Sequence, residues 1–239
     1  MVAFTPDEEI GEGTDHFEVD RFKADYTYTI DGGILSEISY ENFNACTARV
    51  NIKGFSIHPG SGYQKMINAS LLACEFNNYL KEYKTPRTSK DYEGFIHLSS
   101  IEGHASQASM KYILRAFDEK EFSHYEEAFK HITQVMNAQW GEDTVSVELK
   151  ETYYNMHKYI TPTMIDLPLK ALQALNIQED ILPTRGGTDG AELTYKGLPT
   201  PNLGTGGHNF HGPYEWISCE DVVKGSHRIA KMIEILAQI

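Results

Sequence analysis

Apolar and polar positions alternate most regularly in the middle of the chain. Ala48, Val50 and Ile52 alternate with Arg49, Asn51 and Lys53, which is the period of a half-buried strand. Met110, Tyr112 and Leu114 share one face while Lys111 and Arg115 share the other, and Val145, Val147 and Leu149 alternate with Ser146, Glu148 and Lys150. With the run Phe95–Ser99, these predict four strands. Between them, Ile67, Leu71, Leu72, Phe76, Tyr79 and Leu80, and then Phe122, Tyr125, Phe129, Ile132 and Val135, recur at three and four, so each group predicts an amphipathic helix. The order strand, helix, strand, strand, helix, strand is the split βαβ arrangement of a ferredoxin-like α+β domain, expected here as an insertion over residues 44–157.

The flanking segments read differently. Val2–Phe4, Tyr26–Ile30 and Ile34–Tyr40 predict short strands, with Pro6 ending the first and Asp31-Gly32-Gly33 turning between the other two. Later come a helix over Leu167–Leu175, a strand near Ile181, a glycine-rich turn and a further strand. A terminal helix follows, carrying Val222, Ile229, Met232, Ile233 and Leu236. This is α/β alternation, so residues 1–43 and 158–239 are expected to build one α/β domain around the insertion.

Composition narrows the function classes. At 239 residues and 41% hydrophobic content the chain can bury one large or two modest cores. No run approaches the ~18 apolar residues of a membrane span. Met1 is followed by neither a basic nor a long apolar segment, which predicts a cytoplasmic protein without a membrane partner. Cys46, Cys74 and Cys219 show no C-x-x-C spacing and read as buried reduced thiols. A formal charge of −13 repels phosphate backbones, so peptide or small-molecule partners are expected rather than nucleic acid.

Three groups of chemistry-bearing residues fall at turns: Asp7-Glu8-Glu9, Asp31-Gly32-Gly33, and Gly206-Gly207-His208-Asn209-Phe210-His211-Gly212. Singly, each has an ordinary reading as a solvated acidic run, a turn, or an isolated histidine. Together, at strand ends where α/β sheets gather ligands, they offer oxygen and nitrogen donors suited to zinc in a catalytic site. Glu8 and Glu9 can serve one centre only if the loop turns between them, and Gly11 and Gly13 permit that. Arg185 precedes Gly186-Gly187-Thr188-Asp189, where guanidinium, free amides and a helix start could converge on a substrate carboxylate. A phosphate or nucleotide cradle would look similar, but the loop lacks the Gly-Lys-Ser/Thr ending of a P-loop.

Thr5-Pro6-Asp7-Glu8-Glu9-Ile10-Gly11, Thr29-Ile30-Asp31-Gly32-Gly33, His58-Pro59-Gly60 with Asn68-Ala69, Arg185-Gly186-Gly187-Thr188-Asp189-Gly190-Ala191, and Gly207-His208-Asn209-Phe210-His211-Gly212 run in order along the chain. Jointly they resemble the peptidase T family of tripeptide aminopeptidases, in the dinuclear zinc peptidase superfamily that also holds aminoacylases and carboxypeptidase G. The resemblance implies an α/β zinc-peptidase catalytic domain with the ferredoxin-like insertion as a lid and dimerisation domain. It implies Glu8 as the general base acting on a water that bridges two zinc ions, and Glu9, Asp31 and His211 as ligands, with His208 the lesser donor. It also implies that His58 reaches the partner's site in a homodimer and supports the oxyanion, and that Arg115 and Arg185 bind the substrate carboxylate.

The family pattern also includes an earlier His-x-Asp motif and an aspartate bridging the ions, which have no counterpart in this sequence. Glu9, Asp31 and His211 are too few donors for two ions. The chain therefore reads as the carboxy-terminal part of such an enzyme. Alone, it is expected to dimerise without catalysing, with the apolar faces of Val2–Phe4 and Tyr26–Ile30 exposed.

Overall fold

The computed structural model describes residues 1–238. The chain divides into two compact units, one formed by residues 1–43 with 154–239 and the other by residues 44–153.

The first unit opens with a single 3-10 turn, Glu8–Ile10, and the short helix α1 (Val19–Phe22), followed by strands β1 (Thr29–Ile30) and β2 (Glu37–Ser39). The expected strand at Val2–Phe4 does not form. Met1, Val2 and Phe4 are 88%, 80% and 92% exposed. Extended chain becomes a strand only by pairing, and no described residue pairs with this segment. For the same reason the expected strand Tyr26–Ile30 shrinks to the two residues in register with Asn202 and Leu203.

The second unit contains β3 (Asn44–Lys53), α2 (Ala69–Tyr79), β4 (Phe95–His104), β5 (Gln107–Ala116), α3 (Glu119–Trp140) and β6 (Val145–Tyr153). Its sheet runs β4-β5-β3-β6 with every pair antiparallel, the strand order of a ferredoxin-like fold. The alternation read from sequence decides which face is covered: Ala48, Val50, Ile52, Met110, Tyr112 and Leu114 are buried with residues of α2 and α3 in one core. Asn68 and Asp118 cap the two helices, their side-chain oxygens accepting from the amides of Ser70 and Leu71 and of Lys120 and Glu121. In α2 Leu72 and Phe76 are buried as expected, Leu71 and Tyr79, also expected in the core, are exposed, and Ala69 and Ala73 complete the interior face.

The first unit resumes with α4 (Pro162–Ala174), β7 (Asp180–Ile181), α5 (Asp189–Tyr195), β8 (Asn202–Leu203), the two-stranded ribbon β9 (Gly207–His208) and β10 (Trp216–Ile217), and α6 (Cys219–Leu236). Its sheet runs β1-β8-β2-β7, with β1 parallel to β8, β8 antiparallel to β2, and β2 parallel to β7. Ile38, Leu167, Ala171, Leu172, Leu203 and Met232 form its core. Of the apolar residues that α6 was expected to carry, Met232 is buried and Leu236 packs against this core, whereas Val222, Ile229 and Ile233 are exposed and Arg228 is buried instead. The thiols also differ from expectation, since Cys46 is buried but Cys74 and Cys219 are exposed, and all three are free. Among the described residues no helix is long and apolar enough to cross a membrane.

Candidate functional site

Asp7 (φ 68°) and Gly11 (φ 76°) both adopt left-handed backbone and bracket the turn that carries Glu8 and Glu9. The Gly11 amide donates to the Glu8 carbonyl at 2.8 Å and the Glu12 amide to the Asp7 carbonyl at 3.1 Å, which closes the loop on itself. Glu8 is left half-buried and Glu9 exposed. Thr14 then anchors the segment to α5. Its hydroxyl donates to Glu192 Oε2 at 2.5 Å, and Lys196 Nζ donates to the Thr14 carbonyl and, at 3.1 Å, to its hydroxyl oxygen. Gly13 serves a close approach rather than a turn, for a Cβ there would stand 2.6 Å from both carboxylate oxygens of Asp189.

Asp31 follows β1 directly. Its amide donates to the Leu203 carbonyl at 3.1 Å, and Asn202 Nδ2 donates to the Asp31 carbonyl at 2.7 Å. The next two residues, Gly32 and Gly33, lie at φ 53° and 63°, and their carbonyls accept from the amides of Thr205 and Gly206 at 2.6 and 3.0 Å. The Asp31 loop is thereby laced to the segment that leads to β9. After β9 the chain turns through Asn209 (φ 59°) and His211 (φ 60°). Asparagine tolerates this conformation; a histidine in it is held by its surroundings. Here the His211 amide donates to Glu215 Oε2 at 3.2 Å, and its Nε2 lies 2.7 Å from Glu9 Oε2.

These loops gather four carboxylates and one imidazole. The Glu8 carboxyl is pushed up to about 7, first by loss of solvent and then by the charges of Asp31, Asp189 and Glu9, against a smaller downward pull from His211. Asp31 is raised too, chiefly by burial, with Glu9 and Asp189 adding to it; the Gly32 amide and His211 oppose the shift. Glu8, Glu9, Asp31 and His211 thus share one electrostatic neighbourhood. His208 is turned elsewhere, its ring stacked on Trp216 at 4.4 Å and 22°. The Arg185 guanidinium lies 5.0 Å over the Phe43 ring.

His58 and Arg115 belong to the unit of residues 44–153. His58 is exposed, and its Nδ1 accepts from the Gly60 amide at 3.2 Å. Arg115 lies 5.0 Å over the Tyr153 ring and donates to the Leu114 carbonyl at 3.0 Å.

The helix start expected at Thr188-Asp189 is capped by Thr188, whose hydroxyl accepts from the Ala191 amide at 3.1 Å, and sequence reading gave Asp189 no role beyond that helix start. Asp189 is 5% exposed, and its Oδ2 is buried without a hydrogen-bond partner. A carboxylate earns such a position only by its neighbours, and the sequence carries no signal that Gly13 is one of them.

Crowded carboxylates with an imidazole at their rim match the charge and the donor type that a hard or borderline divalent cation takes. Their mutual spacing is wider than ligation needs. Among the described residues no three His, Cys, Asp or Glu side chains stand close enough together to hold a metal ion.

A family model described as Peptidase family M20/M25/M40 matches residues 1–235. A peptidase T of Caldanaerobacter subterraneus subsp. tengcongensis is 46% identical over 236 residues, which cover 98% of this chain and 58% of that protein. The chain thus spans a little over half the length of this curated relative. A tripeptidase structure from Staphylococcus aureus superposes with TM-score 0.82 at 16% identity over 98% of this chain and 63% of that one. A dinuclear metal binding peptidase from Bacillus subtilis does so with TM-score 0.69 at 17% identity over 98% and 64%. At such identities the structural likeness establishes the fold.

Proposed function

Since the chain belongs to peptidase family M20/M25/M40, we propose that it works as part of a metal-dependent aminopeptidase that releases the amino-terminal residue of tripeptides. The substrate follows from the relatives, named peptidase T and a tripeptidase. In this reading Glu9, Asp31 and His211 hold divalent cations, zinc by donor type. The ion, when bound, polarises the scissile carbonyl and acidifies water. The carboxylate of Glu8 takes the proton of the attacking water and returns it to the leaving amine. Arg185 and Arg115 bind the substrate's carboxylate, as the fork of a guanidinium suits. Residues 44–153 act as a lid through which two copies pair, and His58 of one copy supports the oxyanion in the other. The cytoplasm is the proposed compartment.

The observation that supports this most is the contact of His211 Nε2 with Glu9 Oε2 at 2.7 Å, inside a cluster whose charges raise Glu8 and Asp31. The test is release of the first residue from a tripeptide by the protein at the full length of its relatives, before and after chelation and zinc restoration. Turnover should vanish on chelation and in Glu8→Gln. Undiminished turnover by Glu8→Gln would remove the base assignment, and chelator-insensitive turnover would remove the metal.

One observation favours a second reading for the chain on its own: the described residues include no group of three that could hold an ion. We propose that this chain by itself binds zinc weakly and does not hydrolyse peptides. Metal analysis after gel filtration decides it, and two retained ions per chain would refute it.

A further inference from the structure

Arg228 is fully buried in the middle of α6, yet no carboxylate among the described residues pairs with it. Its two terminal nitrogens instead donate to backbone carbonyls 169 residues apart in sequence: Nη1 to Leu35 at 2.6 Å and Nη2 to Gly204 at 2.8 Å. A buried cation without a counter-ion is expensive, so its geometry is informative. Each acceptor sits at the root of one site loop. Leu35 lies two residues after Gly33, in the loop that Asp31 begins, and Gly204 leads through Thr205 and Gly206 to β9 and His211. The packing at this junction admits little else, because a Cβ on Gly204 would overlap the Ile34 carbonyl. Asx- and glycine-rich loops at such a crossing are held mainly by a few backbone bonds: Gly204 to Glu37 at 3.0 Å, Thr205 to Gly32 at 2.6 Å, and Gly206 to Gly33 at 3.0 Å. The planar fork of a guanidinium can satisfy both carbonyls at once and fix their separation, which a lysine cannot.

We propose that Arg228 is a positioning residue that clamps the roots of the Asp31 loop and the 204–211 loop, and so sets the spacing between Asp31 and His211. The significance of that spacing rests on the peptidase reading, but the clamp itself does not. Two variants test it in the metal-free chain: Arg228→Met, which keeps the bulk and removes the donors, and Arg228→Lys, which keeps the charge but replaces the rigid two-nitrogen fork by a single ammonium. The readout is amide hydrogen exchange with nuclear magnetic resonance shifts at fixed pH. In Arg228→Met the amides of Gly204, Thr205 and Gly206 should exchange about tenfold faster or more, while the interior amides of α4 and of the β3–β5 ladder keep their protection. The Asp31 amide and the His211 ring should shift with them. Arg228→Lys should fall between, and it carries the test if the methionine variant does not fold.

Unchanged exchange at these three amides in either variant would overturn the proposal. So would an equal acceleration throughout residues 154–238, which would make Arg228 a general stabiliser of its unit. Neither outcome depends on metal or substrate, so a failed peptidase assignment would leave this result readable, and an active enzyme with unaltered loop exchange would sink the clamp alone.

Discussion

The carboxylate of Asp189 lies against the backbone of Gly13, close enough that a Cβ there would stand 2.6 Å from either oxygen. Residues 176 positions apart are thereby locked in a relationship that needs the absence of a side chain. Gly13→Ala must push Asp189 or the 7–14 segment aside, at a cost of about 1–3 kcal/mol, the range of overpacked sites. Gly11→Ala differs in mechanism, since nothing lies within 4 Å of its Cβ position and only the φ of 76° is strained, for about 1 kcal/mol. Thermal unfolding should rank Gly13→Ala below Gly11→Ala. The reverse order would mean that Asp189 moves freely.

Thr14 is fully buried and serves Glu192 and Lys196 together. Thr14→Val keeps its shape but strands the Glu192 carboxylate, so it should destabilise by about 1–3 kcal/mol. Adding Glu192→Gln should recover part of that loss in a double-mutant cycle. Strict additivity of the two changes would dissolve the anchor.

Asp31 is raised by burial and by the charges of Glu9 and Asp189. Removing its charge relieves that repulsion, so Asp31→Asn should raise the melting temperature of the chelator-treated chain. It should also blunt any rise in melting temperature produced by excess zinc, because a ligand stabilises only the form that binds it. A metal-free Asp31→Asn protein that melts lower than its parent would contradict the crowding argument.

Burial raises the phenols of Tyr112 and Tyr125, and each hydroxyl is also engaged, with Asn77 Oδ1 at 3.1 Å and Glu121 Oε1 at 2.6 Å. Both remain protonated in the fold at pH values where an unfolded tyrosine, at about 10, has ionised. The folded chain then binds more protons than the unfolded one, so the stability these phenols contribute is whole below about pH 10 and is lost as pH rises beyond it. Alkaline titration followed by phenolate absorbance should show these two ionising only as the fold is lost. Tyr112→Phe, lacking the bond to Asn77, should cost about 1 kcal/mol at neutral pH and lessen the alkaline dependence.

The middle of the chain was legible because its signal is local. Val50 and Ile52 on β3 and Phe129 on α3 fall in the core as their periodicity requires. The flanking segments were less legible. Val2–Phe4 has the composition of a strand but no partner among the described residues, and α6 carries its apolar residues at a helical period while burying Arg228. A period shows that a face exists, not which face meets the core. The site residues divide in the same way. Glu8, Glu9, Asp31 and His211 could be singled out as acids and an imidazole at turns, whereas Asp189 reads in sequence as the start of a helix.

The order of residues by itself determined the strand and helix periods, the turns that need glycine or proline, and the kinds of donor placed at them, since each depends on neighbours a few positions apart. Only the tertiary structure decided that Glu9 meets His211, that Asp189 rests on Gly13, and that Arg228 joins Leu35 to Gly204. Those contacts depend on which distant groups leave water together, and the balance between desolvation and a found partner is set by the whole packed unit rather than by any stretch of chain.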